Sequence, residues 1–461
     1  MSLAFDAERF AGRAMGPGDE GFDEARQVWN AMIDCVPSLI VQCAGIDDVR
    51  RAIELGRSRE WPVAIRGGGH SIAGLSTCDG GLGIDLRAMN AISVDAAAKR
   101  ARAQGGARWG QLDAAMAPHG LATTGGVIST TGIAGLTLGG GIGYLMRSFG
   151  LACDRVEQFD VVTAAGDQVV ANATENPELY WGLRGGGGNF GIVTDFTYRL
   201  GTLNPTVLAG MVTYPLKKAK EVLRFFREFT EQAPDELTTY MTLSPGGVDR
   251  DPVAALAFCY TGSIAEGERL LAPTKTFCTP TEYLVEPMPY VTFQSMNDEA
   301  NPSGLQNYWK SHFLHGLPEE CIDVVVDEFG RKPLPAGNCP RGGLIIEHMG
   351  GAVARVPDDA TVVGNRSAPY SVEMISIWDD PADTAAQVEW ARTTWSVLAP
   401  FATGGAYVNY LAETGPEAVA AAFGTEKMAR LVALKDAYDP ENYFRLNHNI
   451  VPSALRPAVA S

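Results

Sequence analysis

The chain has 461 residues, which at the usual ~100–200 residues per domain suggests two or three domains with sizeable cores. Hydrophobic residues make up 46% and charged residues 20%, the balance of a soluble globular protein. Lys+Arg 37 against Asp+Glu 54 leaves a formal charge of -17, a surface that repels nucleic acid and anionic membranes and so disfavours both as partners.

The segment from Met1 to Asp6 has no basic region followed by an apolar run, so no signal peptide is expected. No apolar stretch is long enough to span a bilayer. The cysteines, Cys35, Cys43, Cys78, Cys153, Cys259, Cys278, Cys321 and Cys339, are scattered and form no C-x-x-C. That pattern disfavours a zinc site or a disulfide framework and suits a reducing cytoplasm.

Leu39 to Gln42 reads as a strand, and Asp47 to Glu60 as a helix with Val49, Ala52 and Ile53 on one face and Asp47 as its N-cap. Pro62 to Arg66 is the next strand, ending in the loop Gly67 to Ser71. Gly81 to Leu86 and Ala101 to Gln104 are further strands, and Trp109, Leu112 and Met116 share a helical face. Phe159 to Thr163 and Gln168 to Ala171 form a hairpin, with Gly166 and Asp167 at its tip. Ile192 to Leu200 reads as a long alternating strand.

Beyond Leu200 glycine thins out. Strand-like Met211 to Tyr214, Ala254 to Tyr260, Leu344 to His348 and Ser371 to Trp378 are interspersed with helices at Lys218 to Gln232 and Asp383 to Leu398. A sheet with helices on one side is the expected form. Thr425 to Ala437 is an amphipathic helix carrying Met428, Leu431 and Leu434, and Asp439-Pro440 stops it.

Three loops concentrate glycine: Arg66 to Ser71, Gly125 to Gly143 and Gly185 to Gly191. Glycine admits positive φ and lets a backbone approach a ligand, and successive free N–H groups can cradle a pyrophosphate. Gly186 to Gly191 matches G-x-G-x-x-G, but it follows a helix-like segment, Asn176 to Arg184, and precedes a strand. That order is the reverse of the Rossmann fingerprint. No Walker A, H-E-x-x-H or G-x-S-x-G pattern occurs.

Val63 to Ser71, with Gly74 following, resembles the flavin-attachment loop of the vanillyl-alcohol oxidase / p-cresol methylhydroxylase superfamily, in particular its berberine bridge enzyme-like branch. Gly132 to Gly143 and Leu179 to Gly191 are similar to that family's second and third phosphate-contacting loops. Tyr407 to Tyr410 and Tyr438 to Pro452 resemble its closing motif. The matches keep the family's order and span nearly the whole chain.

The resemblance implies an α+β protein with a two-part FAD-binding domain, residues 1–200 and 411–461, around a substrate domain of sheet plus helices, residues 201–410. It implies FAD bonded to His70 through the flavin 8α carbon. Many members add a cysteinyl link, but the matching position here is Ile128, so attachment through His70 alone is expected. The implied cofactor-binding residues are His70 with Arg66, Gly67, Gly68, Gly69 and Ser71; Thr131, Gly132, Gly135, Gly140 and Ile142; Gly191, Ile192 and Val193; and Asn447 and Asn449. No metal site is expected.

The resemblance makes Tyr410 the catalytic base. Its phenol, ordinarily near pKa ~10, would need a cation or hydrogen-bond donors to lower it. Tyr144 is the second catalytic candidate. On a strand, Asn409 would face away from Tyr410, and Tyr407 would serve packing. Thr131 occupies the position that controls oxygen access in the family. Its Val-like shape implies an oxidase forming hydrogen peroxide with O2 as acceptor. Tyr308, Trp309, Lys310, His312, Arg366, Met374 and Trp378 are candidate walls for a small-molecule substrate. Alcohols, sugar hemiacetals and natural-product C–H bonds all fit the resemblance. A dehydrogenase with another acceptor, a reductase with dissociable FAD and a non-catalytic flavin or small-molecule binder remain as alternatives, and the sequence sets no oligomeric state.

Overall fold

The structure, a computed structural model, describes residues 9–246, 251–334 and 341–456 and has an α+β fold. Cys339 lies outside these residues. Near the N-terminus, Leu39–Gln42, Leu82–Asp85 and Val63–Arg66 pair in parallel, and Arg13–Met15 adds an antiparallel edge. The parallel pairing needs a crossover, and helix Ile46–Ser58 supplies it, burying Val49, Ala52, Ile53 and Gly56. Its N-cap is Gly45, not the expected Asp47. Gly45 has no capping side chain, and Asp48 instead accepts from the N–H groups of Ala11, Gly12 and Ala44.

The next sheet is antiparallel, in the order Ile92–Asp95, Arg100–Gln104, Ile192–Arg199, Val156–Val162, Gln168–Asn172. The expected hairpin is present: Thr163 N–H donates to Asp167 O at 2.9 Å, and Gly166 has φ 85°. The expected alternation of Ile192–Arg199 fails over its first half, which is buried on both faces. Phe196 and Tyr198 pack with Trp109, Leu112 and Met116, while Ile192 packs with Leu86 and Val162 on the other side. A central strand covered twice reads as a continuous apolar run. A small ladder joins Leu121–Ala122 to Gly201–Thr202.

Seven antiparallel strands form the third sheet, in the order Glu282–Pro289, Thr206–Pro215, Val253–Tyr260, Leu237–Ser244, Arg341–His348, Tyr370–Trp378, Gln306–Leu314. The two-residue period splits its side chains. Val212, Met241, Leu256, Ile346, Val372 and Met374 pack under helices Ala219–Glu231, Glu319–Gly330 and Thr384–Leu398. Tyr240, Ala257 and Ile345 turn the other way, toward Ile142 and Tyr144 of the second glycine loop.

The chain then returns to the N-terminal half through helix Thr425–Tyr438. Lys435, 0% exposed, donates to Asn189 O, Phe444 O and Asp439 Oδ2, joining the helix to the third glycine loop and the closing segment. Removing one partner of a buried ion pair strands the other, which typically costs ~3–5 kcal/mol. Lys435→Met is therefore expected to lower unfolding free energy by that order. Urea denaturation measures it, and a loss below about 1 kcal/mol would refute the role given to this pair.

Candidate active site

The three glycine loops and the closing segment meet over the site-facing side of the seven-stranded sheet. They enclose one cavity of about 1340 Å³, larger than the ~300–1,000 Å³ typical of a single small ligand. The first loop leaves the end of parallel strand Val63–Arg66, where open α/β sheets bind ligands. A Cβ on Gly68 would lie 2.3 Å from Gly132 N, so only glycine lets the first and second loops touch. Gly69 has φ 76°, a left-handed conformation that glycine adopts freely.

His70, Gly67, Gly68, Gly69, Ser71, Thr131, Gly132, Gly135, Ile142, Gly191, Ile192, Val193, Asn447, Tyr144 and Tyr410 all line this cavity. Arg66, Gly140 and Asn449 are not among its lining residues. Arg66 turns away: its guanidinium donates to Ala25 O and lies against Gly69, and burial lowers its pKa to about 10. Gly140, at φ 123°, backs onto the Tyr407 ring. Of the wall candidates only Trp309 reaches the cavity. Tyr308, Met374 and Trp378 point to the helix side of the sheet, as does Lys310 against Trp395. His312 stacks on Trp395 too, and Arg366 is paired with Asp154.

His70 stacks on Trp29, with ring centroids 5.2 Å apart and an interplanar angle of 16°, and Thr130 Oγ1 lies 3.2 Å from its Nε2. Burial, followed by the charges of Arg108 and Arg66, lowers its pKa to about 4, so the imidazole is neutral near pH 7. Ile128, the position at which the sequence rules out a cysteinyl link, lines the cavity. Cys153 is fully buried, and burial pushes its thiol pKa up.

The Tyr407–Tyr410 segment is not a strand, as its sequence suggested, but a 3₁₀ turn over Val408–Tyr410. The turn gives Tyr407 more than a packing role. Its hydroxyl accepts from Gly141 N–H at 2.7 Å and Ile142 N–H at 3.1 Å, and Asn409 Nδ2 donates to it at 2.8 Å. Asn409 also donates to Leu136 O at 3.0 Å. The closing segment thus clasps the second glycine loop through its backbone.

Tyr410 donates to Glu347 Oε1 at 3.1 Å. No cation lowers its pKa; burial and the nearby Glu347 and Glu373 raise it well above the usual tyrosine value. Tyr410 is therefore a protonated phenol hydrogen-bonded to a buried carboxyl group. Glu347 and Glu373 also line the cavity, and burial raises both of their pKa values. The sequence reading missed these two. Their available signal was a lone acid inside an otherwise apolar strand, since a glutamate is almost never fully buried unpaired. Tyr144 accepts from Asn297 Nδ2 at 2.7 Å and packs on Tyr240 and Phe293.

Buried polar atoms without partners also face the cavity: Ser76 Oγ, Asn447 Oδ1 and His448 Nε2. Together with the bare backbone of the glycine loops, they give the hydrogen-bonding lining that a flavin dinucleotide needs. This set of donors and acceptors fits FAD.

The fold and cavity define a class, the FAD-linked oxidoreductases. A family described as FAD binding domain matches residues 37–172, and one described as berberine and berberine like matches residues 406–451. The chain is 31% identical to an FAD-linked oxidoreductase of Dictyostelium discoideum, over 96% of both proteins. It is also 31% identical to (R)-6-hydroxynicotine oxidase of Paenarthrobacter nicotinovorans, over 96% of this chain and 97% of that one. The solved 6-hydroxy-D-nicotine oxidase of Arthrobacter nicotinovorans superposes with TM-score 0.85 at 28% identity, covering 96% of this chain and 98% of that one. A berberine bridge enzyme-like protein of Physcomitrella patens gives TM-score 0.88 at 25% identity, covering 97% and 98%. The chain belongs to the berberine bridge enzyme-like family of FAD-linked oxidoreductases, within the vanillyl-alcohol oxidase / p-cresol methylhydroxylase superfamily. Among the described residues no helix is long and apolar enough to cross a membrane, and no cluster of metal-ligating side chains occurs.

Proposed function

We propose that this protein is an oxidase whose FAD is attached through His70 alone. It takes a hydride from the carbon of an alcohol, a hemiacetal or a natural-product C–H bond. The observation that carries this reading is Tyr410, set on Glu347 in the cavity that the glycine loops enclose. When bound, FAD supplies the two-electron acceptor.

The chain's own residues supply position and proton handling. Tyr410 Oη receives the substrate proton as its own passes to Glu347 Oε1, so its high pKa is no obstacle. Tyr144 and Trp309 wall the substrate, and Asn297 fixes the Tyr144 hydroxyl. The glycine loops with Asn447 hold the dinucleotide, residues 1–200 and 411–461 serving the cofactor and 201–410 the substrate. A cytoplasmic location is part of this reading.

Thr131, lining the cavity, is the residue that leaves O2 a path to the flavin. The Paenarthrobacter relative, itself an oxidase, supports O2 as acceptor. Protein reduced anaerobically and mixed with air-saturated buffer is expected to reoxidise within seconds and to form hydrogen peroxide. Reoxidation over many minutes, with rapid turnover on an artificial quinone, would replace the oxidase reading with a dehydrogenase.

A further inference from the structure

Acidic side chains outnumber basic ones along the cavity lining. Among the described residues lining the cavity, the acids are Asp251, Glu282, Glu299, Glu347 and Glu373, and Arg341 is the sole lysine or arginine. Arg341 is committed to the backbone carbonyls of Glu299 and Ala300. Glu347 and Glu373 are 1% and 3% exposed, and among the described residues neither forms an ion pair.

The two carboxyls are hydrogen-bonded to each other, Glu373 holding the proton and Glu347 accepting it. Glu373 Oε1, Ser311 Oγ and Tyr240 Oη have no other partner, and Ser371 faces Glu347. The groups facing the pair are Tyr240 from strand Leu237–Ser244, Ser311 from Gln306–Leu314, Ser371 from Tyr370–Trp378, and Tyr407 and Tyr410 from the closing turn, with Tyr144 beyond. All are neutral near pH 7, and four are aromatic rings, whose faces attract cations. Buried carboxyls are normally paired or neutralised. Here protonation takes the place of a counter-ion on the substrate wall.

We infer that the substrate carries a cationic nitrogen, an ammonium group that seats on Glu347 and Glu373 and takes the place of the proton on Glu347. The inference rests on the flavin-site reading above and narrows its substrate class to amines. On binding, the Glu347 O–H bond breaks and its proton passes to solvent, leaving one carboxylate, that of Glu347, paired with the ammonium while Glu373 keeps its proton. No electrons move in this step.

The sign of the pH effect follows. Burial raises both carboxyl pKa values above their ordinary value of about 4.5, so the pair is uncharged in mild acid and ionises as pH rises toward and beyond neutrality. A cation of fixed charge must therefore bind more tightly as pH rises, by up to about tenfold per pH unit for one proton released.

The test uses the purified full-length holoprotein and two probes, benzyltrimethylammonium, which has no titrating group, and neutral benzyl alcohol. Calorimetric titration between pH 5 and 8, in buffers of different ionisation heat, counts the protons released. Tightening of benzyltrimethylammonium with rising pH, with net proton release, is expected, alongside pH-independent binding of benzyl alcohol. The Glu347→Gln/Glu373→Gln variant is expected to lose at least about tenfold in affinity for the cation and to keep benzyl alcohol binding, a control that its cavity is intact. Cation binding that is absent or flat with pH in the wild type overturns the inference without any variant. So does a double variant that binds the cation normally. The visible flavin spectrum of each sample separates the two readings: flavin present with flat cation binding sinks this inference alone, while a protein without flavin sinks the site reading beneath it.

Discussion

A His70→Ala variant is expected to release all its flavin into the supernatant on acid precipitation, whereas the wild-type pellet stays yellow and weighs one FAD more than the polypeptide. The imidazole lines the cavity and is held on two sides, by the Trp29 ring and by Thr130 Oγ1. Bonding to carbon needs a nitrogen lone pair, which a neutral imidazole offers and an imidazolium does not. With its pKa lowered to about 4 by burial and by Arg108 and Arg66, His70 stays neutral throughout the physiological range. Its competence would fail only as pH falls through about 4. No cysteine is among the described residues that line the cavity. Ile128 carries no sulfur, and the Cys153 thiol is buried and already hydrogen-bonded to Asp154. Intact-mass measurement reads the outcome directly. Flavin wholly in the wild-type supernatant would end the covalent assignment, and a yellow His70→Ala pellet would show that another residue holds the cofactor.

For Tyr410→Phe the expected result is a fall in kcat of about 10²- to 10⁴-fold, the usual contribution of a positioned acid–base group. The flavin spectrum and thermal stability should change little, because phenylalanine keeps the ring packed against Tyr407 and Trp309. The loss should fall on the reductive half-reaction, since the hydroxyl acts where the substrate gives up its proton. Rapid-reaction measurement of flavin reduction under anaerobic conditions isolates that step. A wild-type reduction rate in Tyr410→Phe would reduce Tyr410 to a wall residue and leave Glu347 to receive the proton unaided. Because Glu347 must be ionised to receive a proton, and burial raises its pKa, the wild-type reduction rate should climb as pH rises from mild acid toward neutrality.

Local chemistry made much of this readable in the chain. The strands from Leu39 to Asp85, the hairpin at Gly166 and the helix at Trp109 follow from apolar spacing and turn residues, which act over a few positions. The glycine loops were visible because close backbone contact, as between Gly68 and Gly132, excludes any larger residue. The misread parts depend on partners distant in sequence. Tyr407 to Tyr410 looks like a strand, yet it turns because Asn409 and Tyr407 bond to Leu136, Gly141 and Ile142. Lys310 and Met374 looked like wall residues until the register of their paired strands assigned them to the helix face. Glu347 and Glu373 stood in plain view within apolar strands, but only pairing across the sheet brings them together beside Tyr410.

The clasp that Tyr407 closes on Gly141 joins residues 266 positions apart in the chain. At ~5–20 residues per second, the ribosome exposes the second glycine loop roughly 13–50 s before the tyrosine that fixes its backbone. Lys435, which ties down the third loop, emerges later still. A nascent chain therefore presents the second and third glycine loops without these two clasps, and the cavity takes its final form only once the closing segment docks. The cavity that fits the cofactor is complete only after nearly the whole chain has been made, and a chain cut short before residue 407 would lack the tyrosine that clasps the second loop.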